Sequence, residues 1–373
     1  MRVLMLHNRY RFEGGEERAV ADIIELLRAH GHTVYSLERS SARLTRRQAA
    51  QALVSGGADP EEVAQAVKQI RPDVVHAHNL HPSFGWRALA AARGAGARTV
   101  LHVHNFRLFC AIGVAYREGA PCFRCRGADT RPGVRFRCRG SVHEAIVYAV
   151  GLHAQQPRIF EHAERFVAVS DASARRLFEL GLPADRTHTV RNFLPAASFA
   201  PASHAGRGEF ALAGGRLVEE KGFDTAVAAA RAAKVPLVIA GDGPDLERLR
   251  HLAGGDDVRF VGRLDRGAMA EVRGRAGVVL VPSRSEEACP YAALEALADG
   301  VPVLASDYGG LPEVVGSEAV VAGRDPRAWA HALEHLWRDP ERRQTRGSDA
   351  LERARALFSQ ERYFNDLMSV YQS

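Results

Sequence analysis

No stretch of this sequence approaches the roughly 20 consecutive apolar residues that a bilayer-spanning helix needs; the longest apolar runs are strand-sized, such as 235–240. The apolar run at 3–6 stops at His7 and Asn8, far short of the apolar region of a signal peptide, so the expected location is the cytoplasm. Long polar tracts are also missing and charged residues make up 25% of the chain, which excludes the disordered class. No short-period internal repeat is present. Cysteine is scarce: there are five, of which Cys110, Cys122, Cys125 and Cys138 cluster and Cys289 stands apart. In a reducing compartment stable disulfides are not expected, which leaves thiols or a metal.

What is present is a chain of 373 residues with 46% hydrophobic content, enough for a sizeable core and, on length, for two domains. The formal charge of +6 suits an acidic partner: a nucleic acid, an anionic membrane face or a phosphorylated substrate. Basic residues are densest between Arg107 and Arg139, where Arg117, Arg124, Arg126, Arg131, Arg135 and Arg137 are opposed only by Glu118 and Asp129. This segment reads either as a solvated arginine-rich loop or as a peripheral contact with an anionic inner membrane face.

Strand-like runs alternate with helix-like ones, the pattern of a doubly wound, mostly parallel α/β sheet. In the first half the strands are expected at 2–6, 33–37, 73–77, 99–103 and 166–169. Helices are expected from Glu16 to about Ala29 and from a start at Asp59 and Pro60 to about Ile70. The segment 195–208 is rich in Pro, Ala, Ser, His and Gly and reads as a linker. A second doubly wound unit follows, with strands at 210–213, 237–240, 258–261, 278–281 and 301–305. The expected division is a domain over 1–194 with a Cys- and Arg-rich insertion at 107–140, the linker, a domain over 209–347 and a helical tail over 348–373 packing back across the junction.

In open parallel sheets ligands bind beyond the carboxyl ends of the strands. After the strand at 210–213 come Gly214, Gly215 and Arg216, then Glu219, Glu220, Lys221 and Gly222 at a helix start. Glycines let the backbone approach a ligand, while a guanidinium and an ammonium beside a helix N-terminus suit a departing diphosphate without a metal. A second constellation runs from Ser285 through Glu286, Glu287, Ala288, Cys289, Pro290 and Tyr291 to Glu295. Glu287 is read in the loop and Glu295 one turn inside the helix that Pro290 opens, so both carboxylates would border one pocket and accept hydrogen bonds from sugar hydroxyls. The N–H groups of Ala288, Cys289 and Tyr291 would add donors; Pro290 has none.

The order GRLVEEKG, GDGP, FVGRL, PSRSEEACPYAALEALADGVPVLAS and GGLPEVV resembles the C-terminal half of family 4 glycosyltransferases, and RVLMLHNRYRFEGGEE with VLHVHNF resembles the N-terminal half. The likeness implies the GT-B fold, two facing Rossmann-like domains with a cleft between them. It also implies transfer of a hexose, with retention and without a catalytic metal, from a UDP- or GDP-linked donor to an acceptor hydroxyl, in cell-envelope polysaccharide or glycolipid synthesis. Carried over by position, Arg216 and Lys221 would bind the donor phosphates, Glu295 the ribose and Glu287 a hydroxyl of the transferred sugar. Gly215 would line the phosphates, Arg263 and Leu264 would border the base, and Gly14 and Gly15 would approach the donor from the other domain. The resemblance makes His104 the catalytic histidine near the reacting carbon, with the leaving phosphate accepting the acceptor's proton. Carbohydrate, lipid-linked and small-molecule acceptors all remain open.

His102 and His104 share a strand face by their alternation, as do His76 and His78. Two alternating histidines lack the third ligand that zinc takes, so His76 and His78 are read as lining the cleft. The four clustered cysteines, with a single Cys-x2-Cys pair, point to a structural zinc in the polar insertion; an iron–sulfur site would use the same thiolates. Two other readings stand beside the transferase. A nucleotide-sugar epimerase of the same architecture would need acid/base carboxylates in the cleft. A nucleic-acid module built on the Cys- and Arg-rich segment would show salt-dependent binding indifferent to Glu287 and Arg216; no nucleic-acid partner is expected.

Overall fold

The computed structural model describes residues 1–10, 14–255 and 257–373, which divide into two compact units. The first comprises Met1–Ala115, Cys122–Asn192 and Tyr363–Ser373; the second comprises Tyr116–Pro121 and Phe193–Arg362.

Strands β1 (Arg2–Arg9), β2 (Thr33–Ser40), β3 (Val74–Ala77) and β4 (Arg98–Val103) belong to the first unit, and the two-residue strands β5 (Tyr116–Arg117) and β6 (Ala120–Pro121) that follow form a small antiparallel hairpin of the second. Then come β7 (Arg165–Ala168) and β8 (Thr187–Thr189). Apart from the hairpin these strands form one parallel sheet in the order β2-β1-β3-β4-β7-β8. Their central members are apolar because both faces are covered: Leu4, Leu6, Val75, Leu101 and Phe166 are buried on one face with Phe84 and, from the helices, Leu89 and Ile159, while Val3, Met5, Val100 and Val167 are buried on the other. Pro60 opens the helix Pro60–Ile70 as read from the sequence, but Asp59 lies in the left-handed region at φ 41° and makes no side-chain cap. A 21-residue helix, Val142–His162, carries Pro157 in its interior and packs its Leu152 and Ile159 inward.

The second unit repeats the architecture with β9 (Phe210–Gly214), β10 (Leu237–Ala240), β11 (Val258–Gly262), β12 (Ala276–Val281), β13 (Val303–Ser306) and β14 (Val320–Val321). All run parallel in the order β11-β10-β9-β12-β13-β14. Trp329 and Leu333 of the helix Pro326–Trp337 close one face over Val227 and Ile239. The Pro- and Ala-rich segment after Asn192 is pinned to this unit: Ser203 Oγ donates to Gly300 O at 2.6 Å and Arg343 Nε to Ala205 O at 3.1 Å. The helical tail is two helices, Pro340–Leu357 and Gln360–Gln372. The second of these largely belongs to the first unit, where His30 stacks on Phe364 at 3.8 Å and Tyr371 lies buried. Among the described residues no helix is long and apolar enough to cross a membrane.

Candidate active site

In the second unit the strand order reverses between β9 and β12, and the two loops that leave their carboxyl ends carry the residues singled out in the sequence. Such a reversal opens a crevice at the sheet edge because the following connections depart to opposite sides. The loop after β9 holds Gly215 and Arg216, then a short turn, Glu219–Lys221, and Gly222 at φ 67°, where the helix Phe223–Ala233 begins. A side chain at Gly222 would meet Pro282 O at 2.1 Å, so glycine is what lets this loop lie against the one after β12.

That contact brings Lys221 to Glu287. Lys221 Nζ pairs with Glu287 Oε1, and Ser283 Oγ donates to the same oxygen at 2.7 Å. Burial pushes the Glu287 carboxyl up, but the Lys221 ammonium and the Ser283 hydroxyl outweigh it and hold the group below the usual carboxylate range. Glu287 O also accepts from Gly310 N at 2.7 Å, and Gly309, at φ 61°, leaves the room that this loop needs. Arg216 stands on the exposed rim, 58% accessible, with Glu220 Oε1 3.5 Å from its guanidinium.

Pro290 is the cap of the helix Tyr291–Ala298 and not its first residue, with Ala288 and Cys289 in the loop before it and Tyr291 as the first helical residue. Glu295 is inside this helix, and its Oε2 is 2.7 Å from Nη1 of the buried Arg273, whose Nε reaches Asp299 Oδ2 at 2.5 Å. The sequence reading missed Arg273, since nothing local marks a residue 22 positions upstream as the partner of this carboxylate. Arg263 and Leu264 follow the edge strand β11 in an exposed loop before the helix Arg266–Gly274. The small hairpin sits on the same unit: Tyr116 Oη donates to Glu219 Oε1 at 3.1 Å, and Arg324 donates to Gly119 O.

In the first unit the reversal lies between β1 and β3. Gly14 precedes the helix Gly15–Ala29, whose first turn bears Glu16 and Glu17. Glu17 binds the N–H groups of Tyr10 and Gly14 at 2.8 and 2.9 Å. Glu16 is buried and accepts from Asn79 N at 3.0 Å, Tyr10 Oη at 2.9 Å and Asn105 Nδ2 at 3.2 Å; burial pushes its carboxyl up to about 7. These acids therefore organise the loop around the glycines.

A small open pocket beside them is lined by Tyr10, Glu16, His78, His102, His104 and Arg107, among others. His104 is half-buried at the end of β4, with Nε2 2.9 Å from His78 Nδ1, and burial lowers its pKa to about 3, so its ring is neutral. Behind it lie His7, His76, His78, His81 and His102, all buried. The alternation in sequence had paired His76 with His78 and His102 with His104; the sheet brings the two pairs together.

Cys110, Cys122, Cys125 and Cys138 are free thiols. Burial pushes the Cys125 thiol up to about 11, and the other three cysteines also act on it. Backbone N–H groups of Ile112, Gly113 and Ala115 turn toward the Cys110 sulfur. Among the described residues the His, Cys, Asp and Glu side chains grouped closely enough to hold a metal are His76, His78 and His102, whose ligand nitrogens lie within 4.8 Å of one another. Several arginines of the segment have partners inside the protein: Arg131 pairs with Asp129 at 2.7 Å, Arg124 covers Phe136 and Arg139 covers Tyr148.

The family described as Glycosyltransferase Family 4 matches residues 13–197, and Glycosyl transferases group 1 matches residues 197–353. The chain belongs to glycosyltransferase family 4. This family 4 chain is 32% identical over 243 residues to a D-inositol 3-phosphate glycosyltransferase of Kineococcus radiotolerans, covering 54% of this chain and 55% of the relative. It is 37% identical over 139 residues to a GDP-mannose-dependent alpha-(1-6)-phosphatidylinositol dimannoside mannosyltransferase of Mycobacterium tuberculosis, covering 35% and 36%. The match thus spans about half or less of the length of these curated relatives. Sucrose-phosphate synthase from Thermosynechococcus elongatus superposes with a TM-score of 0.74 at 20% identity, covering 100% of this chain and 98% of that one. Anabaena HepE, solved with UDP-glucose, superposes at 0.68 and 17% identity over all of both chains. These likenesses establish the GT-B glycosyltransferase fold.

Proposed function

We propose that this chain transfers a hexose from a UDP- or GDP-linked donor to an acceptor hydroxyl with retention. The observation that carries this reading is the Lys221, Glu287 and Ser283 cluster at the point where the strand order of the second unit reverses. An ammonium and an exposed guanidinium, Arg216, beside a glycine turn offer fixed positive charge where a diphosphate gains negative charge as the sugar leaves. Glu287, ionised and held from two sides, accepts hydrogen bonds from a hydroxyl of the sugar. Glu295 takes the ribose: Arg273 fixes its orientation, and a carboxylate has about four acceptor positions, so the ion pair leaves capacity for a ribose hydroxyl. Arg263 and Leu264 border the base, and Gly215 with the N–H groups near Ala288, Cys289 and Tyr291 contacts the phosphates. In the first unit, His104 with Gly14 and Gly15 serves the sugar side.

The named relatives favour the donor and acceptor classes. One uses GDP-mannose, a structural neighbour was solved with UDP-glucose, and the acceptors named are D-inositol 3-phosphate and a phosphatidylinositol dimannoside. A lipid-linked or polysaccharide acceptor of the cell envelope, met at an anionic membrane face, fits the net charge of +6. A structural zinc on Cys110, Cys122, Cys125 and Cys138 is supported by their shared neighbourhood and by the N–H groups turned to Cys110. The deciding experiment incubates purified protein with a panel of UDP- and GDP-sugars and measures release of nucleoside diphosphate with and without inositol phosphate and phosphoinositide acceptors. Release that depends on Lys221 and Glu287 supports the reading; no turnover of any donor, or turnover unaffected by either residue, removes it.

A further inference from the structure

Three parallel strands place a block of imidazoles inside the first unit. Met5 pairs with His76 across β1 and β3, and His76 pairs with Val100 across β3 and β4. Because side chains alternate with a period of two, His7, His76, His78, His102 and His104 all project from one face of the sheet. The centroids of His76 and His102 are 5.4 Å apart, those of His78 and His102 5.2 Å, and those of His76 and His78 4.5 Å. One nitrogen from each of His76, His78 and His102 lies within 4.8 Å of the others, and all three side chains are at most 2% exposed.

The hydrogen bonds sort these nitrogens into two kinds. His76 Nδ1 is engaged by Tyr371 Oη at 2.7 Å, and His78 Nδ1 by His104 Nε2 at 2.9 Å. Nε2 of His76, Nε2 of His78 and both ring nitrogens of His102 are buried without a hydrogen-bond partner. A buried polar group left unpaired costs roughly 1–3 kcal/mol, so several in one place call for a ligand that satisfies them together. One ring nitrogen held by a hydrogen bond while the other is turned to a common centre is how ligating histidines are oriented. Sequence alone offered two histidines and no third; the third comes from the neighbouring strand.

We propose that His76, His78 and His102 bind a zinc-class divalent cation in the first unit, with Tyr371 and His104 orienting two of the ligands. Imidazole nitrogen suits zinc, nickel and copper, and the pocket lined by His78, His102 and His104 gives access and a side for a fourth ligand. The ion fixes the imidazoles behind His104 and carries no step of the transfer. The site stands on the nitrogens alone and is independent of the donor and acceptor proposed above.

The test uses the full chain, stripped with chelator and titrated with Co2+ and then Zn2+, in the Cys122→Ser/Cys125→Ser background so that the Cys-x2-Cys pair does not compete. Visible ligand-field bands that saturate near one equivalent, without a sulfur-to-cobalt charge-transfer band, and that Zn2+ displaces, are the expected result. Tyr371→Phe is expected to weaken binding by about tenfold, as loss of an orienting partner does, and His102→Leu to abolish it. Absent bands, bands with sulfur charge transfer only, or unchanged affinity in folded His102→Leu overturn the site. Should His102→Leu not fold, the wild-type bands and the tenfold effect of Tyr371→Phe decide: both support the site, and a missing band or an unshifted affinity overturns it.

Discussion

Lys221 and Glu287, 66 residues apart in the chain, share one carboxylate oxygen with Ser283 at the reversal of the second sheet. Lys221 offers the charge for phosphate, and Glu287 is kept ionised to receive a hydroxyl. Lys221→Ala and Glu287→Ala are each expected to reduce kcat by at least about a hundredfold, the scale of losing a fixed electrostatic contact in a transition state. Turnover assays paired with urea unfolding check this; wild-type rates in a folded variant would remove the assignment.

Arg216 gives a cleaner separation of chemistry from stability. Its side chain is 58% exposed and its contact with Glu220 is long, so Arg216→Ala is expected to leave stability within about 0.5 kcal/mol. Turnover should nevertheless fall by about a hundredfold if the guanidinium meets the leaving diphosphate. Parallel measurement of kcat and the urea midpoint tests both halves.

Glu16 makes stability depend on pH. Burial raises its folded pKa to about 7 from an ordinary 4.5, so the stability it contributes is fully present below pH 4.5 and lost as pH rises through 7. Glu16→Gln removes that dependence and should gain on the wild type by about 3 kcal/mol between pH 4 and pH 8. Urea midpoints across that range test it; parallel curves for the two proteins would refute the raised pKa.

Arg273 is buried between Glu295 and Asp299. Burial already raises the Asp299 pKa, with Arg273 opposing it. Arg273→Met should therefore cost about 3–5 kcal/mol, because two carboxylates packed around it are left without their cation; urea unfolding measures the loss. Donor affinity should fall as well, because Glu295 loses the group that orients it; calorimetry with UDP and GDP measures that loss.

Most of the architecture was legible because it is local. Apolar β-branched runs separated by helix starts gave both parallel sheets, and the spacing from Gly214 to Lys221 and from Ser285 to Glu295 marked the loops at the reversal of the second. What could not be read depends on register between distant strands. His102 joins His76 and His78 only because β4 pairs with β3, and Arg273 finds Glu295 only once both helices are packed. Glu16 sits where a helix dipole welcomes an acid, so nothing in the sequence distinguishes a surface carboxylate from one buried under Asn79 and Asn105. The edge strands β8 and β14, three and two residues long, are too short to show a period.

The closing helix has a bearing on how the chain matures. Tyr371 caps His76 and Arg98 donates to the Tyr371 carbonyl, so the sheet that starts at Arg2 lacks these partners until a segment 273 or more residues further along the chain has left the ribosome. A gene truncated after Asn192 would encode every strand of that sheet yet leave Arg98 and the histidine block uncovered. A fragment meant to stand for the first unit therefore needs residues 363–373 grafted back, for example by circular permutation.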